Sequence, residues 1–292
     1  MSILIATPTG HIGGYALKQL LKAGADVSVI VRQPEKLSDE IRSRVTIHQG
    51  SLTDVELVTK AFQGAKAVLW LTPPNFTHPD VTAYHRELSE VAATAIKKSE
   101  VTHVVNISSA GARLENAGPI SGLGLVERRL NEAAKNIVHL RPGFFMENFL
   151  NDVESIKRDG AAYSLLPGDL PYPIIATKDI GYIAAELLLK ADWSGQNVRG
   201  LHGPVDLTLN EAARIVSESI GKPVKHVLIT PDQAYQAFLG MGASPGFAKA
   251  IVEMYQALAK PGAVSEERTP QTTTTTTLRE WSDTILRPLF AS

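Results

Sequence analysis

Thr7, Thr9, Gly10, His11 and Ile12 lie in the opening stretch SILIATPTGHIGG, residues 2–14. Here an apolar run suited to a buried strand meets a glycine-containing turn and then an amphipathic segment. A strand feeding a helix N-terminus through such a turn makes an anion site. Free backbone N–H groups and the positive end of the helix dipole meet a pyrophosphate there. Gly10 and Gly13 let backbone and ligand, or helix and strand, come close. Thr7 takes the first position of a G-x-x-G-x-x-G spacing, and a β-branched residue followed by Pro8 resists positive φ, so this corner should be extended. The hydroxyls of Thr7 and Thr9 either reach the ligand or tie down the turn.

A second signal lies one βαβ unit further on. Where an acid would bond the ribose 2′-OH of NAD, the chain has Arg32, with Lys36 four residues later. Two cations favour a 2′-phosphate, hence NADP(H); the alternative is a basic residue exposed in a loop.

The elements that position these residues alternate. Helix 12–22 follows the first turn, and 27–31, 45–48, 67–71 and 101–107 read as strands. Between them, Thr53 and Glu56 have capping-box spacing for a helix to about Gln63, and residues 80–98 form a long helix with Val81, Leu88, Val91 and Ala95 on one face. Thr72-Pro73-Pro74 stops the fourth strand, and Ser108 begins the loop after the fifth, both on the rim where open α/β sheets bind ligands. A helix over 121–135 precedes a strand at 137–140. The pattern predicts a Rossmann-type, doubly wound parallel sheet of the α/β class. Residues 1–150 form its dinucleotide-binding domain. Residues 151–292 form a smaller C-terminal α/β lobe on the substrate side, with strands around Ile174-Ile175 among the segments expected to return to the main sheet.

Just beyond the strand at 137–140, Phe144, Phe145, Met146 and Phe149 either wall a flat apolar ligand or fill the core. Capping signals at Thr208, Thr230 and Ser244 open later helices, and the run Thr272 to Thr277 reads as a local connector whose last residue boxes a final helix with Glu280.

Composition narrows the function classes. The 292 residues carry a net charge of −1 without a basic block, so nucleic acid is not an expected partner. With no cysteine there is no disulfide framework or thiolate metal site, and the eight histidines lack metal-ligand spacing. No signal-peptide pattern or long apolar span is present, so a cytoplasmic protein without membrane contact is expected.

Thr9-Gly10-His11-Ile12-Gly13, Val31-Arg32-Gln33-Pro34-Glu35-Lys36, Ile107-Ser108-Ser109-Ala110-Gly111, the run 140–148 and Thr177-Lys178-Asp179-Ile180-Gly181 occur in this order. Together with the threonine-rich segment before the last helix, they make the chain resemble the NmrA-like, atypical short-chain dehydrogenase/reductase family over nearly its full length. That family holds quinone, dye and isoflavone-type reductases beside dinucleotide-sensing regulators. The resemblance implies an NADP(H) site with Thr7 in its first turn, Thr9, Gly10, His11 and Ile12 on the phosphates, and Arg32 and Lys36 on the 2′-phosphate. Thr72 and Pro73 face ribose and nicotinamide, with Ser108 on the same rim, and Phe144 and Met146 border the nicotinamide pocket. Ser51 replaces the acid usual near adenine.

One departure concerns chemistry. Short-chain dehydrogenases present Tyr-x-x-x-Lys on the helix after the fifth strand, because a carbonyl receiving hydride needs a proton donor. Between Ser108 and Val126 this chain has neither residue. The expected activity is NADPH-dependent hydride transfer to a flat conjugated small molecule, such as a quinone, dye or imine-like acceptor. The alternative is a non-catalytic NADP(H) sensor that acts on a protein partner.

Overall fold

In the computed structural model, which describes residues 2–264 and 266–291, the chain opens with β1 (Ser2–Ile5), α1 (His11–Lys22), β2 (Asp26–Val31), the short α2 (Asp39–Arg42) and β3 (Thr46–Gln49). It continues through α3 (Val55–Gln63), β4 (Ala67–Leu71), α4 (Val81–Lys97), β5 (His103–Ile107), α5 (Pro119–Asn131) and β6 (Asn136–Pro142). The later elements are β7 (Phe144–Phe145), α6 (Val153–Asp159), β8 (Ala161–Ser164), β9 (Pro171–Ile175), α7 (Thr177–Lys190), β10 (Gln196–Leu201) and β11 (Asp206–Thr208). The last are α8 (Leu209–Ile220), β12 (Lys225–Leu228), α9 (Pro231–Gly240), α10 (Pro245–Leu258) and α11 (Leu278–Trp281).

Seven strands form one parallel sheet in the order β10-β6-β5-β4-β1-β2-β3. The chain winds outward from β1 in one direction and then from β4 in the other, so the order reverses between β1 and β4, where open α/β sheets place a ligand crevice. Period-2 alternation supplies both cores. Ile3 and Ile5 face the layer made by α1 and α7, while Leu4 and Ala6 face the layer that includes α3, α4 and α5. Val81, Leu88, Val91 and Ala95 of α4 are all buried, as their spacing predicts. Among the described residues no helix is long and apolar enough to cross a membrane.

A smaller layer stands beyond the carboxyl ends of these strands. It holds a three-stranded sheet, β11-β9-β7, and a two-stranded one, β12-β8, around a core that includes Met146, Phe149, Ile174, Trp281 and Phe290. The strand that joins the main sheet from this half of the chain is β10, not the segment at Ile174-Ile175. Pro171 and Pro173 deprive β9 of two N–H donors, which suits it to short ladders with β7 and β11. A second correction concerns α3. Its cap is Asp54, whose Oδ1 accepts from the N–H groups of Glu56 and Leu57 at 3.1 and 3.0 Å, while the Thr53 hydroxyl is shared with Ser51 at 2.9 Å. An Asp one residue nearer the helix reaches the first free N–H groups better than Thr53 does.

The threonine run does more than connect. Thr274 N–H bonds the His202 carbonyl at 2.8 Å, and Thr276 donates to Asp179 through its hydroxyl at 2.7 Å and its backbone at 3.2 Å. The strand-like segment therefore straps α7 to the end of β10 before Thr277 and Glu280 cap α11 as a box.

Two buried histidines make this fold acid-sensitive. Burial pushes His85 on α4 and His139 on β6 down to about 4; at His139 Glu127 opposes that shift and Arg141 adds to it. As pH falls from about 6.5 towards these values, the unfolded chain binds protons that the native one refuses, so stability falls with pH. Each histidine contributes a slope of up to about 1.4 kcal/mol per pH unit. Urea unfolding between pH 6.5 and 4.5 is expected to show this loss, and His139→Gln to remove about one proton from the slope. An unchanged slope would mean that His139 titrates normally in the folded protein.

Candidate functional site

The turn after β1 is built as its residue types demand. Thr7 avoids the left-handed region, since among the described non-glycine residues only Asn116 and Ala191 have positive φ. A Cβ on Gly13 would lie 2.0 Å from the Thr7 carbonyl oxygen, so the first turn of α1 rests directly on the loop backbone. Gly10 caps α1 in extended geometry, and a Cβ there would have the Thr7 carbonyl oxygen, at 3.8 Å, as its nearest neighbour outside the adjoining residues and α1. That space lies in a crevice of about 670 Å³ at the β1/β4 switch point. No acid stands in the first turn of α1, leaving its N–H groups to an anion.

This crevice brings together Thr7, Thr9, Gly10, His11, Ile12, Arg32 and Pro73. Ser51 also lines it, together with Tyr84, Phe145, Glu147, Asn148, Asn151 and Thr177, most of which the sequence reading did not single out. Thr7, Thr72 and Thr177 each carry a buried hydroxyl oxygen without a protein partner. Backbone N–H groups, an exposed arginine and unsatisfied hydroxyls suit a ligand that carries phosphates and ribose hydroxyls.

Other expected residues lie elsewhere. Lys36 lines a separate depression with Lys18 and Gly14 on the outer side of the same loop. Thr72 is buried at the end of β4, and Ser108 is buried beside Glu127, outside the crevice lining. Phe144 and Met146 require correction: both pack into the core of the smaller layer, Phe144 edge-on to Phe149 at 6.5 Å. Within β7 strand alternation turns Phe144 and Phe145 to opposite faces, and Met146 opens a 3-10 helix, Met146–Asp152, that buries Met146 and Phe149 in that core. Phe145 and Glu147, the odd-numbered pair, face the crevice instead.

Charges in the site are distributed unevenly. Burial raises the Tyr84 phenol above its ordinary value despite the opposing influence of Arg32, so it stays protonated at that end. At the other end the Glu147 carboxylate accepts from the Thr177 N–H at 3.0 and 3.2 Å and from the Trp281 indole at 3.1 Å. It thus ties the segment after β7 to the start of α7 and to α11.

Two positions of α5, Gly122 and Gly124, leave no room for a side chain. A Cβ on Gly122 would meet His85 Nδ1 at 1.9 Å, and one on Gly124 the Ala112 carbonyl oxygen at 2.1 Å. Behind this helix Arg141 is buried with Glu127, donating at 2.9 and 2.6 Å, and a third bond of 2.9 Å goes to Glu266. Burial opposes ionisation of Glu127, but the Arg141 bonds prevail and hold its carboxyl below the usual range. Among the described residues no group of three or more His, Asp or Glu side chains could hold a metal ion.

Glu147→Ala should destabilise the fold by about 1–3 kcal/mol, because two donors lose their acceptor in a half-buried place. Glu147→Gln, which keeps an acceptor oxygen, should lose less. Equal losses in chemical denaturation would remove hydrogen bonding as the reason for this carboxylate.

The comparisons with known proteins agree with this geometry. The model of the NmrA-like family matches residues 1–283. An NAD(P)H azoreductase of Xenophilus azovorans is 30% identical over 260 residues, covering 89% of this chain and 87% of that protein. The triphenylmethane reductase of a Citrobacter species, solved with NADP(H), superposes with a TM-score of 0.78 at 22% identity over 97% of this chain and 99% of its own. NmrA, a negative transcriptional regulator solved with NADP, gives a TM-score of 0.70 at 16% identity over 97% and 94% of the two chains. At these identities the two solved structures establish a common fold. With its parallel sheet, its glycine turn and a family match along nearly its whole length, the chain belongs to the NmrA-like family.

Proposed function

We propose that this protein is an NADPH-dependent reductase that delivers hydride to a flat conjugated acceptor, such as a quinone, dye or imine-like compound, without a Tyr-Lys proton donor. The observation that carries the reading is α5 itself, where Leu123 or its neighbours Gly122 and Gly124 stand at the place of the family's lysine and both glycines are closed by packing. The azoreductase relative and the dye reductase of like fold are its comparative support.

The residues divide the work along the crevice. Backbone N–H groups from Thr9 to Ile12 hold the pyrophosphate, and Gly10 admits it. Arg32 pairs with the 2′-phosphate, while Lys36, from its position beyond the loop, adds only longer-range attraction. Thr7 and Thr177 offer hydroxyls to ribose and carboxamide oxygens, and Thr72 and Ser108 support the rim from behind. NADPH, when bound, supplies the hydride. Phe145 walls the far end, where proximity and exclusion of water accelerate transfer to an acceptor held parallel to the dinucleotide ring. The titratable side chains lining the crevice are His11, Arg32, Tyr84 and Glu147. His11 and Arg32 stand at the phosphates, Tyr84 beside Arg32, and the Glu147 carboxylate already accepts from Thr177 and Trp281. None of them is placed as a proton donor to the acceptor.

The same lack of a donor favours a second reading, a non-catalytic NADP(H) sensor with a protein partner. Single-turnover oxidation of bound NADPH by a panel of quinones, dyes and imines separates the two. Turnover supports the reductase, and tight NADPH binding with no turnover supports the sensor.

Arg32→Ala should weaken NADPH by about 1.5–3 kcal/mol, as for a charge-assisted bond, and leave NADH nearly unchanged. Equal weakening in a binding titration would take Arg32 off the 2′-phosphate. The hydride step itself should be flat from pH 6 to 9 with a non-titrating acceptor, and plain ketones should react poorly, because a general acid is worth about 10²–10⁴-fold. A tenfold change per pH unit in single-turnover rates would expose a donor.

A further inference from the structure

A second cavity of about 300 Å³, lined by residues 170–173 at the start of β9 and by the segment after α10, shares none of the crevice's lining residues. Three of its side chains end in buried polar atoms without a protein partner: Tyr172 Oη, His202 Nε2 and Glu266 Oε2. His202 and Tyr172 are 3% and 6% exposed, and the Glu266 side chain 8%. Gly200 lets two of them converge, since a Cβ there would stand 2.6 Å from Glu266 Cβ and 3.1 Å from His202 Nε2. Unpaired polar atoms in such a place cost stability unless something bonds them.

Charge and shape define that something. Arg141 is one cation between two carboxylates, Glu127 and Glu266, so the buried cluster holds an excess negative charge. Only Glu266 Oε1 is bonded to the guanidinium; Oε2 remains an open acceptor. Burial and the nearby Arg268 lower His202, which is therefore neutral and adds no cation. Arg268 is engaged with Asp206, and Lys260 is exposed at the rim. Leu170, Leu258 and Val264 make the walls apolar.

We propose that this cavity is a ligand site for a small primary amine with a compact apolar body of about one ring. Its ammonium donates to Glu266 Oε2 and Tyr172 Oη, with its third N–H directed at His202 Nε2, and its body packs on Leu170, Leu258 and Val264. The volume lies at the lower end of the range for small-molecule sites, which excludes a second dinucleotide. The site is independent of the crevice and of the reductase reading, because amine and dinucleotide touch different residues.

Benzylamine is the probe, titrated calorimetrically into the full chain with and without saturating NADPH. Saturable one-to-one binding is expected in both conditions, with toluene, which has the ring but no donor, not binding. Tyr172→Phe and Glu266→Gln should each weaken benzylamine at least tenfold while NADPH affinity stays within twofold of wild type. Tyr172→Phe keeps the ring and packing, so it decides the matter if Glu266→Gln fails to fold. Non-saturable binding, equal binding by toluene, displacement of benzylamine by NADPH, or unchanged affinity in Tyr172→Phe would each overturn the proposal.

Discussion

The contact of α1 with the loop before it is the constraint on which the site depends. The Thr7 carbonyl oxygen occupies the volume that any side chain at residue 13 would need. With that approach the first turn of α1 sits at the mouth of the β1/β4 reversal, and its N–H groups point into the crevice rather than along the sheet surface. The α1 helix then packs on α7, and Gly181 of α7 lies against the backbone of Ile12 and Ala16, so the two helices of that face are held close by missing side chains. Backbone contact is stiffer than side-chain contact because it has no rotamers to yield. A phosphate site placed this way is preorganised before ligand arrives.

Much of this was legible in the residues. The strand–turn–helix at the start, the alternation of elements and the capping boxes at Thr208, Thr230 and Thr277 read correctly because each rests on local chemistry. So did the avoidance of positive φ at Thr7, a β-branched residue followed by Pro8. What failed required knowledge of neighbours. The exchange of Phe144 for Phe145 is a matter of one residue of register in a two-residue strand too short to declare its own phase, and Met146 turns inward because the strand gives way there to a 3-10 helix. The assignment of Ile174-Ile175 to the main sheet failed because strand propensity does not say which ladder a strand joins, and the two prolines were the overlooked signal. Thr177 stood inside a quoted motif, but its place against the crevice follows from Glu147, thirty positions earlier.

Glycine on α5 is the other lesson. In composition Gly122 and Gly124 look like weak helix positions. In the structure they admit His85 and the Ala112 backbone, so α5 lies close against α4 and the loop before it.

The bonds of Glu147 bear on how freely the two halves of such a chain could be exchanged. Thr177 and Trp281 both donate to a residue that precedes position 150, and β10 pairs with β6 along six registered positions. A chimera cut at 150 would inherit a crevice wall from one parent and its hydrogen-bond donors from the other. The two halves are bound to each other across this cut by bonds neither could keep alone, so they stand or fall as one assembly.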